Sequence, residues 1–151
     1  MPNSLATIKT STTIHARPAG VFRVLSDFSK YEKWNPWVTK AQGQCAVGAE
    51  VVTKHNHFGT VKHQLTEVIA PEKMRWELSG WQRYFVKASR EVLIFPGIDN
   101  NTLVTMKVTI RGPILFVVML VFRRALKKAM SAEIKSLKLY CETIASEKSS
   151  N

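Results

Sequence analysis

The chain is 151 residues long and sets 22 lysines and arginines against 11 acidic residues, a formal charge of +11. That length suits one domain with a sizeable core, and the apolar fraction is that of a folded globular protein rather than a disordered or fibrous one. The longest apolar run, Ile114 to Phe122, is far short of the ~20 residues a spanning helix needs, the first residues lack the apolar core of a signal peptide, and no internal repeat is visible.

Residues 5–15 set threonines and isoleucines in rough alternation, a strand signal. Pro18 suits the start of a helix, because its missing N–H would be unpaired there anyway. Val21, Phe22 and Leu25 share one helical face, giving a helix over about 18–27 and a second short one over 29–33. Trp34-Asn35-Pro36 ends that pattern, since the residue before proline is pushed out of the α region. A short strand over 37–42 follows, then a hairpin of strands 49–57 and 60–70 around Phe58-Gly59, and strands over 73–80 and 84–95. Asp99-Asn100-Asn101 supplies a turn. The strand over 102–111 is the clearest. Val104, Met106, Val108 and Ile110 point one way and Thr105, Lys107, Thr109 and Arg111 the other, the alternation of half-buried antiparallel sheet. Residues 113–146 read as one long helix on which Leu115, Met119, Phe122, Leu126, Met130, Leu137, Cys141 and Ile144 form a continuous apolar stripe. Ser146 to Asn151 read as a frayed tail. About seven strands with one striped helix imply a curved sheet wrapped around that helix.

Several of these segments, in this order, carry a family resemblance. Ala16 to Trp37 gives a strand end, a short helix, a turn and an aromatic corner; Val47-Gly48 precedes a strand. Val68 to Trp76 is a strand–turn–strand, Phe95-Pro96-Gly97 ends the strand before the last hairpin, and Gly112-Pro113 opens the long helix. The set resembles the helix-grip superfamily, which groups polyketide cyclase/dehydrase, START lipid-transfer and birch-pollen-allergen proteins under the label SRPBCC. The resemblance implies an α+β helix-grip fold: a curved antiparallel sheet of about seven strands around a long C-terminal helix, with two short helices after the first strand. It implies one START-like ligand-binding domain over residues 1–151, with its core at about 5–145 and a ligand cavity between sheet and helix. Such a fold hosts binders, transporters and enzymes alike, so it does not name an activity.

The histidines are His15, His55, His57 and His63, three of them on the hairpin. A three-residue loop over 57–59 with Gly59 left-handed pairs His55 with Val61 and Thr53 with His63, which gathers Val51, Thr53, His55, Val61, His63 and Leu65 on one face. His55 and His63 then face the interior as polar anchors able to hydrogen-bond a carbonyl or exchange a proton. Exposed or structural histidines are the plainer alternative. A metal site with His57 would lack any acidic or cysteine ligand placed by the sequence. Trp37, Trp76, Trp81 and Phe85, with Phe58 and Tyr84 nearby, are candidates for the wall or mouth of a pocket, although Trp34 and Trp76 read first as core. Alternation from Val92 and Ile94 turns Arg90 inward. A buried arginine needs an anion, either a ligand carboxylate or phosphate or Glu133 at the edge of the helix stripe; a bulge or open edge would turn it to solvent instead.

The candidate ligand-binding set is therefore His55, His63, Trp37, Trp76, Trp81, Phe85, Arg90, Met106, Leu115, Met119 and Phe122. There is no Gly-x-Ser-x-Gly, His-Glu-x-x-His, phosphate-binding glycine loop or Cys-x-x-Cys, so no catalytic residue, metal or cofactor is assigned. The expected function is binding or transport of a small hydrophobic or amphipathic ligand, lipid- or polyketide-like by the resemblance. The alternatives are a cyclase- or dehydratase-type enzyme using His55 and His63, which the resemblance alone suggests, and a membrane-surface or protein-interaction module. Cys45 and Cys141 sit in no metal-like spacing and read as reduced thiols of a cytoplasmic protein, a single disulfide being the alternative.

The charge is concentrated: Arg123 to Lys138 holds six basic residues and only Glu133 against them. Val117, Leu120 and Val121 project from the side opposite the core stripe and run into Arg124, Lys127, Lys128, Lys135 and Lys138. Three partners suit such a face: an anionic membrane, a second copy forming a homodimer, or the chain's own 81–86 loop. Nucleic acid suits it poorly, since no aromatic residues interleave the basic strip.

Overall fold

Alternation along the strands sorts their side chains onto two faces of one sheet, and the long helix covers one of them. The computed structural model describes residues 5–57 and 59–151, and within these not the side chains of Phe116 and Val118. The elements run β1 (Leu5–Ile14), α1 (Pro18–Ser26), a 3₁₀ turn (Phe28–Lys33), β2 (Val38–Gln42), β3 (Glu50–His55), β4 (Gly59–Ile69), β5 (Lys73–Leu78), a second 3₁₀ turn (Trp81–Tyr84), β6 (Lys87–Pro96), β7 (Thr102–Arg111) and α2 (Leu115–Ser149). All seven strands join one antiparallel sheet in the order β1-β7-β6-β5-β4-β3-β2. With α2 against it, this is the helix-grip α+β fold.

Local chemistry explains the boundaries. α1 begins on Pro18 and buries Val21 and Leu25. The 3₁₀ turn after it is fastened by the Tyr31 hydroxyl, which donates to the Leu25 carbonyl. Phe28, Tyr31 and Trp34 meet edge-on, with ring centres 5.3 and 4.9 Å apart, the offset arrangement that aromatic quadrupoles favour. The β6–β7 connection turns through Asp99 and Asn100, both with positive φ, and closes with the Asn101 N–H on the Ile98 carbonyl. That is the mirror-image turn whose twist matches antiparallel strands, and Asp and Asn tolerate it.

On the helix-covered face, Val104 and Met106 of β7, Val92 and Ile94 of β6 and Met74 of β5 meet Met130, Ile134, Leu137 and Cys141 of α2 in one buried cluster. α2 packs most extensively against β1.

Four expectations need correction. The β3–β4 hairpin pairs His55 with Gly59, Thr53 with Val61 and Val51 with His63, two residues away from the expected register. Gly59 is left-handed as expected, but it forms the closing pair instead of sitting inside the loop. A shift of two preserves face, so the six residues still share one side. β6 starts at Lys87, because Trp81–Tyr84 coils into a 3₁₀ turn. α2 continues to Ser149, through most of the stretch read as a frayed tail. Finally, Leu120 is 75% exposed, so the 81–86 segment does not cover it.

Candidate functional site at the sheet–helix junction

Strand register builds the inner face row by row. Arg90 of β6 lies between Val108 of β7 and Trp76 of β5, and Trp76 lies opposite Leu65 of β4. In the next row, His63 lies between Leu78 and Val51. His55 lies opposite Val38 of β2. Arginine, two imidazoles and a tryptophan thus reach the same face from neighbouring strands.

Glu133 of α2 organises the polar part. It is 4% exposed, and its Oε1 accepts from the Arg90 guanidinium and, at 2.9 Å, from the Asn35 side-chain amide. The Asn35 carbonyl oxygen in turn accepts from the backbone N–H groups of Trp37 and Val38 at 2.9 and 3.3 Å. The Trp37 indole N–H donates to the Ala129 carbonyl of α2 at 3.1 Å. Residues 34–38 are therefore tied to the helix at two points one turn apart. The Arg90 guanidinium also stands 5.4 Å from the centre of the Trp76 ring, within cation–π range. A buried ion pair is tolerable when further hydrogen bonds saturate it, and Asn35 supplies one.

The imidazoles lie beside this pair. Burial, then the Arg90 charge, then His55 depress the His63 pKa to about 4. Burial and Arg90 also lower that of His55, against an opposing pull from Glu133. Both are neutral at pH 7, and a neutral imidazole offers one donor and one acceptor. His55 Nε2 is 2.8 Å from the Thr53 hydroxyl.

The apolar part is unevenly covered. Along the α2 stripe Leu115 and Met130 are 5% and 3% exposed, whereas Phe122 between them is 53% exposed. Met119 and Leu126 on either side are half-buried, as are Val61, Trp76 and Leu78 on the sheet. Phe122 is thus left open in the N-terminal half of α2, whereas Met130, Ile134, Leu137 and Cys141 of the C-terminal half are buried in the core cluster.

Each candidate can now be located. His55, His63, Trp76 and Arg90 share the inner face, with Met119 and Phe122 on the helix. Met106 is fully buried in the core, its sulfur 3.7 Å from the Arg90 guanidinium, and Leu115 is core too, so neither is an open wall. Trp76, expected as core, is half-buried and lies along Arg90. Trp37 spends its one donor on α2. The anion that Arg90 meets is Glu133. Trp81 and Phe85 are 67% and 56% exposed and contact each other edge-on at 6.0 Å, on the turn between β5 and β6 rather than among the imidazoles. Phe58 lies outside the described residues. His57 is exposed, and His15 bonds Asn101 at 2.8 Å by the β6–β7 turn. Among the described residues, no three histidine, cysteine or acidic side chains gather to hold a metal ion. A separate groove of about 940 Å³ runs between α1, the β6–β7 turn and the end of α2; none of the candidate residues lines it.

Asn35 was not expected as a functional residue. In sequence it is only the residue before a proline; a polar residue held between two tryptophans was the available signal.

The family described as polyketide cyclase / dehydrase and lipid transport matches residues 6–142. Among curated proteins none matches. Solved structures with the same fold include norcoclaurine synthase from Thalictrum flavum, 10% identical over 93% of this chain and 96% of that one, with a TM-score of 0.73. They include the di-domain ARO/CYC StfQ of the steffimycin biosynthetic pathway, 11% identical over 94% of this chain and 52% of that one, TM-score 0.76. A START superfamily protein from Mycobacterium smegmatis is 14% identical over 91% and 98%, TM-score 0.72. At these identities the likeness is one of fold.

Proposed function

The chain belongs to the polyketide cyclase/dehydrase and lipid-transport family, and from that premise we propose that it is a single ligand-binding domain that takes a small amphipathic molecule between the N-terminal half of α2 and strands β3–β5. One observation carries the reading: Phe122 is 53% exposed on a stripe where Leu115 before it and Met130 after it are buried. A ligand's apolar body would cover Phe122, Met119 and Trp76, and fully burying one such side chain is worth ~1.5–3 kcal/mol. Its polar end would meet the neutral imidazoles of His63 and His55. Because Glu133 already neutralises Arg90, the chemistry favours an uncharged head, a hydroxyl or carbonyl, over a carboxylate. The free thiols of Cys45 and Cys141 support a reducing, cytoplasmic compartment.

The test uses N-phenyl-1-naphthylamine, a neutral probe that fluoresces in apolar surroundings. It should bind saturably and be displaced by a long-chain alcohol more readily than by the matching carboxylate. Phe122→Glu should weaken the probe roughly tenfold without moving the urea midpoint. Equal affinity of the variant and the parent chain would overturn the reading.

A cyclase- or dehydratase-type enzyme is the second reading, favoured by two neutral imidazoles beside one cation. The His63 pKa of about 4 makes it a weak base near neutrality, where catalysis wants a pKa close to the working pH. Burial of His63 supports a hydrogen-bonding role over proton transfer by that residue.

A further inference from the structure

Two exposed apolar segments meet at one end of the sheet. One is the turn after β5, with Trp81, Tyr84 and Phe85; the other is the start of α2, with Val117, Leu120 and Val121. They are neighbours, since Lys87 pairs with Arg111 and a Cβ on Gly112 would sit 3.1 Å from the Phe85 carbonyl oxygen. No aspartate or glutamate occurs from Leu78 through Arg90 or from Asn100 through Ala132. Those stretches carry exposed Arg83, Lys87, Arg111, Arg124, Lys127 and Lys128. Six large apolar side chains exposed on neighbouring segments mark a contact site, and the charge around them selects the partner. A second copy laid on the same face would set one basic rim against another. A nucleic acid would leave the aromatic and aliphatic side chains bare. An anionic bilayer satisfies both parts, with apolar groups entering the headgroup boundary and cations on the phosphates. No described helix is long and apolar enough to cross a membrane, so the contact is one of surface docking.

We propose that this end of the molecule docks on anionic membranes through the Trp81–Phe85 turn and the first turns of α2. The docking is independent of whether the proposed ligand site is filled. Phe122, on the cleft stripe, follows Val121 directly, so a docked chain has the open half of α2 at the lipid.

The test is co-sedimentation of the full chain with vesicles of phosphatidylcholine alone and of phosphatidylcholine mixed with phosphatidylserine. Mixed vesicles should bind it and added salt should release it, while neutral vesicles should bind it weakly. Lys127→Ala and Lys128→Ala should each lower affinity about fivefold. Leu120→Glu and Trp81→Glu should each lower it roughly tenfold, with thermal melting unchanged because both sites are exposed. Equal binding to neutral and mixed vesicles, or binding to neither, would overturn the proposal. So would light scattering showing a dimer that Leu120→Glu splits, which would assign the face to a second copy.

Discussion

The two halves of α2 carry apolar residues at the same spacing and meet different surroundings. From Met130 to Cys141 the stripe is sealed against the sheet, with Leu137 wholly buried. From Leu115 to Leu126 it surfaces at Phe122, and its flank carries Val117, Leu120 and Val121 into solvent. The C-terminal half supplies stability; the N-terminal half leaves apolar area that the chain itself does not cover. Helical spacing specifies a face, and tertiary packing decides how much of that face is buried on folding.

Glu133 lies within the sealed half and holds both Arg90 and Asn35, so removing it should have the largest effect. Glu133→Ala strands Arg90 and leaves Asn35 without its acceptor, and should cost ~3–5 kcal/mol in urea denaturation. Replacing both charges, Arg90→Met with Glu133→Leu, should recover much of that loss. If the double variant were no better than the single, the pair would matter for more than its charge. Next, Leu137→Ala in the sealed half should lose ~2–5 kcal/mol, whereas Phe122→Ala on the same stripe should lose under ~1 kcal/mol. Equal losses would erase the distinction between the halves.

A further test sharpens the comparison through pH. Folded His63 has a pKa of about 4 against the ordinary 6.5, so the unfolded chain binds more protons between those values. Stability should be full above pH ~6.5 and fall as pH drops toward ~4, by something on the order of 1–3 kcal/mol. His55 contributes in the same direction. Chemical denaturation across that range should flatten in His63→Gln. An unchanged slope would put His63 in contact with water.

Much of the sheet was legible because alternation is local. β7 runs Thr102–Arg111, the residues its pattern marks, and alternation alone turned Arg90 inward. The hairpin histidines kept their face despite a register error, because two residues make one full period. What was not legible depends on distant partners. Nothing near Asn35 indicates that its amide will meet Glu133, 98 residues away. Nothing in the helix indicates that Phe122 will be left 53% exposed on a stripe buried further along. Trp81 was placed by sequence at the wall or mouth of a pocket; its 67% exposure and its nearness to the start of α2, which comes from the β6–β7 pairing, were not legible.

Strand order in the sheet also differs from the order of synthesis. β1 emerges first, yet its neighbour is β7, beginning with Leu5 opposite Arg111, and α2, which packs most on β1, emerges last. On the ribosome, the chain up to Pro96 can pair β2 through β6 into a meander whose β6 edge is open, while β1 waits as a loose alternating segment. An open edge and an unclaimed strand are the ingredients of exchange between chains. Until β7 is made, the β6 edge lacks its neighbour and β1 has no place in the sheet; β7 fills that seam and pairs with both.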